Sequence, residues 1–281
     1  MTYCLGIKTR YGLVMASDSR TNAGVDLVDT TRKMHTFTIP GQRVFVLLAS
    51  GSLSCTQSCL TLLQREFDQG GGLASCETMY DAARVVGNTM RKVADIDRPA
   101  LERDGLSFNV HFILGGQIKG QPVGLYLLYP QGNPLSATED SPYLQIGEVK
   151  YGRPILDRGI QYDKTTLEDA CKLALLSIDS TMKSNLTVGP PIDLLAYEND
   201  DLEIRNYRRF GKDDPDLSKI RSRWEAALRA SILKLPQIKL HDDGKAIPGR
   251  TIELVEGQEG GATVGDAQSS QSSVPLKQAG A

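Results

Sequence analysis

Bulky side chains at Tyr3, Leu5 and Ile7 alternate with the smaller Thr2, Cys4 and Gly6. This period of two predicts a strand from Thr2 onward. Arg10–Gly12 makes a turn, and Leu13–Ala16 forms a second apolar run that ends at Ser17-Asp18. The polar stretch Ser19–Asp29 is expected to be a loop. Lys33–Ile39 alternates again, with Met34, Thr36 and Thr38 on one face and His35, Phe37 and Ile39 on the other. Pro40-Gly41 marks a turn, and Arg43–Ser50 reads as a buried strand.

The period then lengthens. Leu53 to Phe67 carries apolar groups at helical spacing and is ended by Gly70-Gly71-Gly72. A second helix opens near Ser75, Thr78 and Met79, with Met79, Ala82, Ala83, Val86 and Met90 on one face. Strands are expected at Leu106–Leu114 and Pro122–Tyr129. A third helix is expected over roughly Leu167–Lys183, capped by Thr165 or Thr166, with Glu168 and Asp169 suited to its first turn. Ile192–Tyr197 and Leu202–Phe210 read as strands, and Leu217–Leu233 as a last amphipathic helix before Pro236. Grouped antiparallel strands and grouped helices suggest two sheets between helical layers, an α+β arrangement. The domain is read as residues 2–240. From 241 to 281 Gly, Ser, Gln and Ala dominate, and that tail reads as disordered.

Composition narrows the function. The 281 residues are 40% hydrophobic and 23% charged, enough apolar material for a two-layer core. A formal net charge of −2 gives no basic excess, which argues against a nucleic-acid partner. No apolar run reaches membrane-span length, and the first residues lack the basic and apolar regions of a signal peptide, so no membrane partner and a cytoplasmic location are expected. The five cysteines, Cys4, Cys55, Cys59, Cys76 and Cys171, have no framework spacing and read as free thiols. Cys55 and Cys59 lack a second pair, and Asp18, Asp26 and Asp29 share one loop without further ligands. Neither a metal nor a cofactor is expected.

Several short stretches carry a resemblance: Met1-Thr2 followed at once by a strand, Ala16-Ser17-Asp18-Ser19-Arg20-Thr21-Asn22-Ala23-Gly24, Arg32-Lys33-Met34-His35, and Ala49-Ser50-Gly51-Ser52. Ile146-Gly147-Glu148 and Tyr151-Gly152 extend it. Their order resembles proteasome β-type subunits, most of all the bacterial Anbu (ancestral beta subunit) proteins, over Thr2 to about Leu240. The resemblance implies the four-layer αββα sandwich of N-terminal-nucleophile hydrolases. It also implies a homo-oligomer in a ring or open spiral, acting on peptide or protein substrates.

A threonine hydroxyl is a weak nucleophile and must pass its proton to a base. The α-amine of the same residue, with an ordinary pKa near ~8, can be that base once Met1 is removed. Residue type alone is equally consistent with an ordinary processed terminus. By resemblance, Lys33 tunes the amine and hydroxyl of Thr2 and Asp18 holds the lysine charged; otherwise Asp18 is a turn residue and Lys33 a surface charge. Gly51, between a strand and a helix, is the expected oxyanion donor. Ala49 and Leu53 are implied to line the pocket for the residue before the cleaved bond, favouring small or apolar side chains.

The chain departs from the family's pattern at three places. Proteasome β subunits have a serine where Glu148 falls, an aspartate where Asn185 falls and a serine where Val188 falls. An amide orients a hydroxyl or water but does not neutralise an ammonium. Glu148 reads either as a replacement charge near the amine or as a solvated surface acid. Cys4, on the Thr2 face of its strand, is expected to border the cavity. No Gly-rich ATP-binding loop is present, so an ATPase or ligase partner would be a separate protein. Two alternatives to a threonine-type peptidase remain: an amidase on small amide conjugates, and a catalytically silent assembly or scaffold subunit.

Overall fold

A computed structural model of the chain describes residues 2–23 and 27–238. Strands β1 (Tyr3–Thr9) and β2 (Gly12–Ser17) form the expected first hairpin, paired from Cys4 opposite Ser17 to Thr9 opposite Gly12. They sit inside a five-stranded antiparallel sheet with β10 (Tyr143–Gly147), β11 (Ile192–Glu198) and β12 (Asn206–Phe210), in the order β10-β1-β2-β11-β12. A second sheet runs β5-β6-β7-β8-β9, from β5 (Met34–Ile39) and β6 (Arg43–Gly51) to β7 (Val110–Ile118), β8 (Gly124–Leu128) and β9 (Pro134–Ser136).

Helices cover the outer face of each sheet. On the second sheet, α1 (Leu53–Asp68) and α2 (Met79–Arg103) pack Cys59, Leu63, Met79, Val86 and Met90 against Phe45, Leu47, Phe112 and Leu114. On the first, α3 (Arg153–Gly159), α4 (Leu167–Ser184) and α5 (Pro215–Ile232) bring Leu156, Ala174, Ile178 and Leu217 to Tyr3, Leu5 and Val14. The inner faces meet through Cys4, Leu13, Met15, Val46, Leu48 and Ile113. Each fully buried large aliphatic or aromatic side chain among these contributes about 1.5–3 kcal/mol relative to exposure. The result is the four-layer αββα sandwich. The sequence-expected helices hold, with Thr78 capping α2 through a reciprocal bond with Asp81 and Thr166 capping α4 through Asp169 N–H.

Several boundaries shift. The stretch expected to be a loop, Ser19–Asp29, contains a two-stranded ribbon, β3 (Arg20–Ala23) with β4 (Leu27–Thr30). Its two strands pair with each other, and their polar sequence carries no alternation that would reveal them. The strand expected from Leu106 starts at Val110, because the Leu106 N–H instead closes the end of α2 on the Leu101 carbonyl. The strand expected from Leu202 narrows to β12: Asp200 and Leu202 have φ of 64° and 50°, and the Leu202 N–H goes to the Tyr197 hydroxyl. Residues up to Lys234 form one compact unit. The tail expected over 241–281 lies outside the described residues. Among the described residues no helix is long and apolar enough to cross a membrane.

Candidate functional site

Asp18 follows β2 directly, and its carboxylate is fully buried. Oδ1 accepts from Lys33 Nζ at 2.6 Å and from the Tyr3 N–H at 3.0 Å, while Oδ2 accepts from the Gly189 N–H at 3.1 Å. Burial pushes the Asp18 carboxyl above its ordinary value, and the Lys33 ammonium with these N–H donors pulls it back. Lys33, just before β5, donates a second bond to the Arg20 carbonyl at 2.7 Å and is itself buried. A buried amino group with a carboxylate and a carbonyl as acceptors is held in fixed orientation. The surface-charge reading of Lys33 and the simple turn reading of Asp18 therefore both fall.

The Tyr3 N–H belongs to the Thr2–Tyr3 peptide, whose carbonyl is fixed from the other side. Thr2 C=O accepts the Glu148 N–H at 2.8 Å. Gly147, one residue earlier, has φ +88°, and a Cβ there would stand 1.8 Å from the Thr2 oxygen. Only glycine allows the backbone this close. Sequence reasoning quoted Gly147 as part of a motif but did not give it this role. Gly189, the other backbone anchor of Asp18, was also missed; its signal lay in the turn residues of Val188-Gly189-Pro190-Pro191.

Thr2 lies on the wall of a cleft of ≈ 980 Å3 that Lys33, Ala49, Gly51 and Leu53 also line. The structure thus brings together five of the expected residues. Gly51 ends β6 with φ +114°, and a Cβ there would meet the Asn109 carbonyl at 1.9 Å, so the strand-to-helix junction requires glycine. The next residue, Ser52, donates its N–H to that carbonyl at 2.7 Å and opens α1.

Glu148 and Asn185 meet each other. Asn185 Nδ2 donates to Glu148 Oε2 at 2.9 Å, while Asn185 Oδ1 accepts from the Thr187 N–H and hydroxyl. Glu148 is 8% exposed, so it is not a solvated surface acid. Lys150 Nζ stands 3.8 Å from Oε1 but is itself mostly solvated, and adds little. Val188 is buried among the apolar residues of the first sheet with Tyr3 and Leu5, and supplies no hydroxyl.

Cys4 does not border the cleft. It is fully buried between the sheets with Leu48 and Ile146, and burial pushes its thiol well above the ordinary range. The strand alternation placed it correctly on the Thr2 face, but the two sheets close over it. All five cysteines are free thiols. Among the described residues no group of three or more His, Cys, Asp or Glu side chains is placed to hold a metal.

Comparison with known proteins agrees with this geometry. A family model described as "Proteasome subunit" matches residues 2–195. A solved Anbu (Gly-1) mutant from Hyphomicrobium sp. strain MC1 is 43% identical, superposes with a TM-score of 0.80, and covers 85% of this chain and 100% of its own. The chain belongs to the proteasome subunit family, in its Anbu group. Anbu from Yersinia bercovieri is 44% identical with a TM-score of 0.79 over 85% of this chain and all of its own. A structure described as the helical assembly of the Anbu complex from Pseudomonas aeruginosa is 44% identical, with a TM-score of 0.80 over 85% and 98%. More distantly, the proteasome subunit beta of Haloferax volcanii is 26% identical over 74% of this chain and 78% of its own. Family membership accounts for the αββα sandwich and for the order of the quoted motifs.

Proposed function

We propose that this Anbu-group chain is a threonine-type peptidase in which Thr2, exposed by removal of Met1, attacks an amide carbonyl. The observation that carries the reading is the shared Asp18 oxygen. One carboxylate atom accepts from Lys33 Nζ at 2.6 Å and from the Tyr3 N–H at 3.0 Å. The charge that tunes the nucleophile and the peptide that presents it are therefore held by one buried anchor.

In the proposed reaction the free Thr2 amine takes the hydroxyl proton, and Thr2 Oγ1 forms a bond to the scissile carbonyl carbon. The Lys33 ammonium disfavours a second positive charge nearby, lowering the amine's proton affinity toward that of a base at neutral pH. The Gly51 N–H, at the positive end of α1, stabilises the oxyanion. Collapse of the intermediate passes the proton to the leaving amine, and water then hydrolyses the acyl-threonine ester. Such preorganised positioning is worth several powers of ten in rate.

The P. aeruginosa relative, described as a helical assembly, supports reading this chain as a homo-oligomer as well. Asn185 and Val188 favour a second reading. They put an amide and an apolar side chain where the family has an acid and a hydroxyl, which suits a catalytically silent assembly subunit or an amidase with lesser demands. Intact mass and peptidase assays on wild type and Thr2→Ala separate these. The proposal expects a chain lacking Met1 and turnover that Thr2→Ala abolishes while the oligomer survives. A retained Met1 removes the proposed base and sinks it.

A further inference from the structure

The cleft that holds Thr2 has an unequal charge lining. Among the described residues it is lined by Arg32, Lys33, His35 and His111, and by no Asp or Glu. Lys33 is neutralised by Asp18. The buried carboxylates of the surrounding strands are held elsewhere, Asp193 by Arg209 at 2.9 Å and Glu148 by Asn185. Arg32 is exposed and forms no ion pair with a described residue, leaving one guanidinium at the cleft.

Strand register places the other groups. His35 pairs opposite Leu47, and cross-strand partners share a face, so its ring lies on the α1 side with Leu47 and Ala49. His111 pairs opposite Ser50, the neighbour of Ala49, on the other face. Ala49, Leu53 and Leu60 give the α1 side an apolar floor, and His35, with Arg32 also lining the cleft, gives it a polar rim. A short aliphatic stem ending in a carboxylate matches that sequence of surfaces: the stem against the floor, and the carboxylate against a planar five-donor guanidinium beside the imidazole.

Resting on the threonine-hydrolase reading of the same site, we propose that the cleft selects an acidic side chain at the residue before the scissile bond, with Arg32 and His35 as the specificity determinants. This sharpens the small-or-apolar preference implied by Ala49 and Leu53: those residues receive the stem, and the two polar groups receive its end. A basic side chain in the same place meets like charge, with no carboxylate among the described residues that line the cleft to compensate it.

The test uses the full chain carrying Thr2→Ala, which turns nothing over, with removal of Met1 checked by mass. Fluorescein-labelled tripeptide amides ending in glutamate, glutamine, leucine or lysine are titrated by anisotropy. The glutamate peptide is expected to bind about tenfold tighter than its glutamine twin, the scale of one charge-assisted hydrogen bond. Adding Arg32→Gln removes that difference, and His35→Gln reduces it. Equal binding of the four peptides, no binding of any, a leucine or lysine preference, or a glutamate preference that survives Arg32→Gln overturns the inference. The hydrolase reading is judged separately, by whether wild type forms a Thr2 adduct with a threonine-directed epoxyketone; its failure leaves the binding result standing.

Discussion

The Thr2–Tyr3 peptide is held from two sides by different means. On one side its N–H goes to the Asp18 carboxylate, a side chain that also carries the Lys33 charge. On the other its carbonyl accepts the Glu148 N–H, a backbone contact made possible by the missing Cβ of Gly147. The first hold depends on charge and chemistry at one residue. The second depends on shape, and is indifferent to what side chain follows the glycine. Changes at the two places should therefore fail in different ways, and the contrast can be broken by mutation.

The largest effect is expected from Asp18→Ala. Removing the carboxylate leaves the Lys33 ammonium buried without its partner, which costs about 3–5 kcal/mol in stability. Chemical denaturation measures it, and Asp18→Asn should recover part of the loss by keeping an acceptor for the Tyr3 N–H. Next comes Gly147→Ala. A methyl 1.8 Å from the Thr2 oxygen, on a backbone at φ +88°, must displace the first strand. The expected cost is about 2–4 kcal/mol, with hydrogen exchange at Tyr3 and Glu148 speeding up together. The smallest effect is expected from Glu148→Gln. The backbone clamp stays, a side-chain oxygen still faces Asn185, and stability should change by less than about 1 kcal/mol. A loss at Glu148→Gln as large as at Asp18→Ala would mean that both sides hold the peptide by charge, and the contrast would be gone.

Much of the first side was legible in the sequence. Alternation in Thr2–Ile7 and the apolar run Leu13–Ala16 marked β1 and β2 and put Asp18 at a strand end, and the Lys33–Ile39 pattern put Lys33 at the start of another. These are local signals, and they placed the two charges at matching ends of neighbouring elements. The second side was less legible because its contacts join distant parts of the chain. Asn185 reaches Glu148 across 37 positions, through the end of α4, and no local pattern announces that contact. β10 is short and mixes Gln145 with apolar residues, so its pairing with β1, and with it the meaning of Gly147, emerged only in three dimensions. The pair β3 and β4 escaped for a related reason: the two strands pair with each other, and their polar stretch carries no alternating signature. Cys4 shows the opposite error, since a correct face assignment does not say where two sheets close.

The central claim is that Thr2, not merely a residue near it, is the nucleophile. The most direct measurement is tandem mass spectrometry of the purified chain after treatment with a threonine-directed epoxyketone, which forms its ring adduct from both the amine and the hydroxyl of a terminal threonine. The account predicts loss of Met1 and an adduct mapped to Thr2, absent in Thr2→Ala and diminished in Lys33→Ala. A processed Thr2 that stays unmodified under conditions where a proteasome β subunit reacts would contradict it.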